Sequence, residues 1–207
     1  MAESIVQVTE GSGKKLHTNS RTIGANTVED EYMLLGEPFL ASYQVSCTAT
    51  SSATANSHVL TINAGASLNV YIRRIMVFQV GLATTAAFCE WDFLRTTTAA
   101  PTGGTAFTPI AYNATEDGAS GATAMTLPTV KATEGNPLGR WSSYFVQTAN
   151  ASVVQAQPML DINFDSMLHM KSPRIPSGTT NGVALKNLTA IAAATVRVQV
   201  WFQEANF

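Results

Sequence analysis

The amino-acid sequence predicts an all-β fold, an antiparallel β-sandwich, and three observations predict it. Short runs of alternating apolar and polar residues recur along the chain, clusters of Gly, Pro, Thr and Asn separate them, and no helical periodicity of comparable strength lies between. The last run is the clearest. Over residues 195–204, Val196, Val198, Val200 and Phe202 fall on one face and Arg197, Gln199, Trp201 and Gln203 on the other. A period of two is that of a half-buried strand.

Residues 1–38 read as an extended N-terminal arm. The segment is polar and Gly-dotted and carries a large share of the charge, including Lys14, Lys15, Arg21, Glu29, Asp30 and Glu31. It has too little apolar surface to fold alone. Val28 and the run Tyr32-Met33-Leu34-Leu35 supply anchor points for lying along the body or along a neighbouring subunit.

The body, residues 39–207, begins with Tyr43, Val45 and Cys47 alternating with Gln44, Ser46 and Thr48. A second strand follows at Val59-Leu60-Thr61-Ile62 and ends at Asn63-Ala64-Gly65. Residues 68–80 form the longest apolar run. A strict alternation puts Val70, Ile72, Arg74, Met76 and Phe78 on one face and Tyr71, Arg73, Ile75, Val77 and Gln79 on the other. Apolar groups on both faces predict a central strand.

Residues 88–95 make the next strand, with Cys89, Trp91 and Phe93 opposed to Glu90, Asp92 and Leu94. A loop over 96–104 leads into 105–112, where Pro109 lacks a backbone donor and predicts a sheet edge or a break. Residues 113–121 read as a surface loop, Met125, Leu127 and Val130 as a weaker element, and Gly135 to Gly139 as a turn. Runs at 141–148, 159–164, 182–188 and 195–204 complete about ten elements. The Pro- and Gly-punctuated stretch 171–178 reads as a connector, and 190–194 as a turn too short to nucleate a helix. Strand number and turn spacing favour a jelly roll over an immunoglobulin sandwich, with an up-and-down barrel as the other arrangement. Strand order is not fixed by these signals.

Composition narrows function. Charged residues make up 13% of the chain against roughly 25% in an ordinary soluble domain, and Ser and Thr account for about a fifth of the 207 residues. Small neutral polar groups in place of ions suit a surface buried against neighbours, which points to an assembly. A net charge of −2 argues against a nucleic-acid coat, which needs clustered Lys and Arg. The doublet Arg73-Arg74 is expected to point to opposite sides of its strand and so to form no patch. No stretch approaches the ~20 apolar residues of a membrane span, and the start Met1-Ala2-Glu3-Ser4 lacks the pattern of a secretion signal. Synthesis in the cytoplasm without an anchor is the expectation.

Groups that carry chemistry are sparse. Cys47 and Cys89 each sit inside a predicted strand and are expected to be buried free thiols. His17, His58 and His169 lie too far apart for a metal-ligand spacing. Glu90 and Asp92 share a strand face about 7 Å apart by the strand rise, a separation two glycosidase carboxylates could use. Paired acids on a wet strand are the simpler account, and the same holds for Asp161 and Asp165. Gly11-Ser-Gly-Lys-Lys lacks the spacing and the flanking elements of a phosphate loop. Asn113, Asn150 and Asn187 begin glycosylation-type triplets that a Ser- and Thr-rich chain yields by chance. Trp91, Trp141 and Trp201 are candidates for a sugar-binding platform, with core or subunit packing the default. Trp201 stands apart because its face is the one opposite the valines, so it is the expected oligomer contact.

Three stretches carry a likeness: Gly11-Ser-Gly-Lys-Lys-Leu through Arg21-Thr-Ile-Gly-Ala-Asn-Thr-Val28; Gly103-Gly-Thr-Ala-Phe-Thr-Pro-Ile110; and Ile175-Pro-Ser-Gly-Thr-Thr-Asn-Gly-Val-Ala-Leu185 with the Val196 strand after it. Together they resemble a family of tailed-bacteriophage virion proteins with a jelly-roll body. The resemblance implies a non-enzymatic capsid decoration or cement protein on the virion surface. Its partners would be the major capsid protein and copies of itself, as a homotrimer, with no cofactor, nucleic acid or membrane. Lys14, Lys15, Arg21, Val28, Tyr32, Leu34 and Leu35 would make the capsid or subunit contacts. The rivals are a tail or fibre component that binds a host-surface glycan through loops 96–104 and 113–121, and a glycosidase or cupin-like enzyme on the same scaffold.

Overall fold

A computed structural model describes residues 18–23, 26–31, 40–49, 54–81, 83, 87–145, 158–164, 171–190 and 194–205. The chain divides into two compact units, Met1–Phe39 and Leu40–Phe207. In the first, β1 (Thr18–Ile23) and β2 (Asn26–Glu31) pair as an antiparallel hairpin that matches Thr18 with Glu31 and Ile23 with Asn26. Part of the polar leader thus pairs its own backbone.

The second unit is the predicted sandwich of two antiparallel sheets. It contains β3 (Ala41–Ala49), β4 (Ser57–Asn63), β5 (Asn69–Gly81), β6 (Ala87–Thr97), β7 (Thr105–Phe107), β8 (Ile110–Ala111) and β9 (Thr123–Thr126). It continues with β10 (Thr133–Phe145), β11 (Leu160–Asn163), β12 (Arg174–Ile175), β13 (Gly182–Asn187) and β14 (Thr195–Ala205). One sheet runs β10-β6-β13-β4-β9-β7 and the other β11-β5-β14-β3-β8, with β12 beside β5. The long strands pair in nested fashion: β3 with β14, β4 with β13, β5 with β11 and β12, and β6 with β10. A long hairpin folded over on itself, with successive strands sent to alternate sheets, is the jelly roll.

The inner faces meet in one apolar core. Leu60, Ile62, Phe93, Val183 and Leu185 of the β13 sheet face Ile72, Ile75 and Val200 of the β14 sheet at its centre. Along β14 the predicted set Val196, Val198, Val200 and Phe202 is buried, and Phe202 stacks on Tyr43 at 5.6 Å. Cys47 and Cys89 are buried free thiols, pushed up to about 12 and about 11 by burial.

Residues 98–132, between β6 and β10, extend both sheets along one side. β7 joins the margin of one sheet, the chain breaks at Pro109 as its missing donor predicts, and β8 joins the other. Gly104 permits the crossing, because a Cβ there would meet the Thr126 carbonyl oxygen at 2.3 Å.

Two expectations are corrected. Residues 135–139, read as a turn, belong to β10, which spans both glycines with register irregularities between Glu134 and Pro137 and between Pro137 and Gly139. β10 is a marginal strand paired on one side only, so it tolerates Pro and bulges that an inner strand would not. Gly139 lies under the ring of Trp141, whose Cη2 would sit 2.2 Å from an added Cβ. The connector 171–178 also contributes β12, a two-residue strand on the sheet margin whose Ile175 is fully buried.

Candidate functional site

The site is built on the outer face of the β14 sheet by a bulge in β5. β14 pairs Trp201 with Arg74 but Phe202 with Ile72, leaving Arg73 as an extra residue. The alternation changes phase there: Val70 and Ile72 are buried before the bulge, Ile75 and Val77 after it. Arg73 and Arg74 were expected on opposite sides of the strand; the bulge turns both outward. The Arg73 guanidinium donates to Gln203 Oε1 at 2.6 Å and to Ser172 Oγ at 2.9 Å. Arg74 grips the Asp161 carboxylate with two bonds of 2.9 and 2.6 Å. Such a fork fixes the direction of the guanidinium plane.

Trp201, as its position in the alternation predicts, lies on this face and is partly exposed. Its indole nitrogen donates to the Tyr112 hydroxyl at 2.5 Å, and the Arg74 guanidinium carbon lies 5.8 Å from the ring centroid. One cross-strand row runs Arg74, Trp201, Gln44, Ile110 and the next runs Tyr71, Gln203, Ser42. Gln203 Nε2 donates to Ser42 Oγ at 3.3 Å, and Gln199 Nε2 to Ser46 Oγ at 3.3 Å. A shallow open depression lies against Ser42, Arg73, Tyr112, Trp201 and Gln203. Sequence reasoning did not assign Tyr112 to this site. It reaches Trp201 through β8, whose pairing with β3 no local pattern reveals.

The opposite outer face, on the β13 sheet, is covered by the chain itself. Ala132 is buried, Lys131 Nζ donates to the Asn56 carbonyl at 3.1 Å, and Glu134 reaches across to β13 and β4. Its carboxylate accepts from Lys186 Nζ at 2.7 Å and lies 3.1 Å from His58 Nε2, with Lys131 Nζ at 3.5 Å. His58 is fully buried. Burial pushes its pKa below the ordinary 6.5, the two lysines adding to this and the Glu134 hydrogen bond opposing it. Burial alone would raise Glu134, but its bonds to Lys186 and His58 outweigh that and hold it below 4.5.

A pH dependence follows. The unfolded chain takes up a proton at His58 near pH 6.5 while the folded protein resists it, so stability is full above that pH and declines as pH falls toward the lower folded value. The Glu134 contribution, present above pH 4.5, is lost as pH falls through its depressed folded value. His58→Gln is expected to flatten the pH 7 to 5 limb of a urea-midpoint profile; an unchanged limb would assign the slope to other groups.

The remaining candidate residues are dispersed. Lys14, Lys15, Tyr32, Leu34 and Leu35 lie outside the described residues, as do His17, His169, Asn150 and Asp165. Arg21 and Val28 are cross-strand partners in the β1–β2 hairpin. Trp91 is fully buried and Trp141 packs partly buried against the core, so neither joins a surface platform with Trp201. Asp92 is held by Arg140 at 2.7 and 3.0 Å, which leaves it no free pairing with Glu90. Asn187 is fully buried, its amide bonded to the Ser57 nitrogen and to the Thr54 and Thr189 carbonyls, so it is closed to glycosylation. Among the described residues no three His, Cys, Asp or Glu side chains converge as metal ligands.

Comparison with protein-family models, with curated proteins and with solved structures finds no match.

Proposed function

We propose that the protein is a non-enzymatic virion structural protein, a capsid decoration or cement protein that binds major capsid subunits through its N-terminal arm and self-associates through its jelly roll. The observation that carries this reading is the asymmetry of the two outer faces. The β13 face is covered by the chain's own residues, whereas the β14 face is broad, open and carries the partly exposed Trp201. Ion pairs are spent inside the chain, Arg74 on Asp161, Arg140 on Asp92 and Lys186 on Glu134, so the surface meets neighbours chiefly through shape and neutral polar groups. Jelly rolls serve in viral capsids, and the sequence likeness to phage virion proteins points the same way. A leader that orders on a neighbour adds interface without enlarging the core.

Deleting residues 1–38 is expected to leave a folded body that no longer decorates particles of the phage carrying the gene, with binding read by co-sedimentation. Light scattering of the full chain is expected to give a homotrimer. Full decoration by the truncated chain would remove the arm from the binding role.

A further inference from the structure

We propose that the β14-sheet face around Trp201 is a binding platform for an uncharged oligosaccharide. This departs from a glycan site on loops 96–104 and 113–121, and it does not depend on the virion reading. An oligosaccharide presents flat patches of C–H groups edged by hydroxyls, so it needs a fixed ring beside rigid donors and acceptors. The ring is Trp201, tethered at its nitrogen by Tyr112 and held by Arg74. Such rings carry a negative π-face that attracts polarised C–H groups.

Polar groups surround it. Because the Tyr112 oxygen accepts the indole N–H, its own O–H is left to donate, and Tyr112 is 64% exposed. The Asp161 carboxylate, held by Arg74, keeps lone pairs for vicinal hydroxyls. Gln44 stands in the same cross-strand row as Trp201, and Gln203 is fixed in the adjacent one by Arg73. Such side chains lose little freedom on binding.

Charge complementarity selects the occupant. Arg74 and Asp161 neutralise each other, so the ring's surroundings match a neutral polyhydroxyl chain better than an anionic one. The depression is shallow and open, which suits a chain lying along the sheet. The other exposed aromatic pair, Phe88 and Tyr144 at 5.2 Å, has no ion-pair or amide frame of this kind around it.

The test uses the full chain on a printed array of neutral and acidic glycans, followed by calorimetric titration with the retained glycan. A neutral chain is expected to bind; Trp201→Ala should weaken it by about tenfold or more, and Tyr112→Phe, at an exposed position that leaves the fold intact, by about threefold. Retention of no neutral glycan overturns the proposal, as does equal binding by both variants or binding of acidic glycans alone. A shift of Trp201 emission with protein concentration in place of glycan would assign the face to a second copy and equally overturn it.

Discussion

Replacing Trp91 with alanine is expected to cost the body ~4 kcal/mol of folding stability, enough to leave a marginal domain largely unfolded at 37 °C. Trp91 is fully buried between the sheets, its ring centroid 6.4 Å from that of Phe145. Its indole nitrogen donates to Ser143 Oγ at 2.7 Å, tying β6 to marginal strand β10. Alanine opens a cavity and strips Ser143, itself buried, of that partner. Trp91→Phe fills much of the space but not the hydrogen bond, so a loss of about half is expected. Guanidinium midpoints with unchanged slopes would measure both. A loss under ~1 kcal/mol for the alanine variant would mean the core collapses around the gap.

The burial of Trp91 was readable in sequence because it shares a strict alternation with Cys89 and Phe93, and β14 was readable for the same reason. Period two fails where the backbone departs from it. In β5 the buried set switches from Val70 and Ile72 to Ile75 and Val77, and the inserted residue is one of two adjacent arginines. The signal was present: an alternation that buries Arg74 with Val70 and Ile72, unpaired, is costly, and a one-residue phase change removes the cost. In β10, Gly135, Pro137 and Gly139 spell a turn locally; only the one-sided pairing of a margin strand lets them stay in a ladder.

The platform itself was legible in one residue. The outward position of Trp201 follows from the valines beside it, whereas its neighbours come from far along the chain: Tyr112 is 89 residues away, and Arg74 and Asp161 are 87 apart. Their meeting depends on strand order, which a nested topology sets and local periodicity does not encode. The same applies to Glu134 and His58, 76 residues apart. Turn chemistry and alternation specify which side chains leave the core; sheet order decides which of them meet.

That order rests partly on one buried carboxylate, and Glu204→Ala is expected to cost ~3 kcal/mol. Glu204 Oε1 accepts from the Ser120 hydroxyl at 2.7 Å and the Ala122 nitrogen at 2.9 Å, and Oε2 from the Gly121 nitrogen at 3.2 Å. Alanine leaves those donors without an acceptor, and Ala122 is buried. Glu204→Gln keeps one carbonyl acceptor but turns an NH2 toward a backbone donor, so a smaller loss is expected. The damage should be local first. Residues 117–122 carry the chain from β8 back toward β9, and Asp117 and Gly118 are bonded to the Ser42 nitrogen and the Tyr43 hydroxyl. Hydrogen exchange at Gly121 and Ala122 should accelerate well beyond that in β6 and β13, and the freed loop should loosen Tyr112 from Trp201. Uniform acceleration across both sheets would instead make Glu204 part of the global folding unit, with no separate hold on the loop beside the platform.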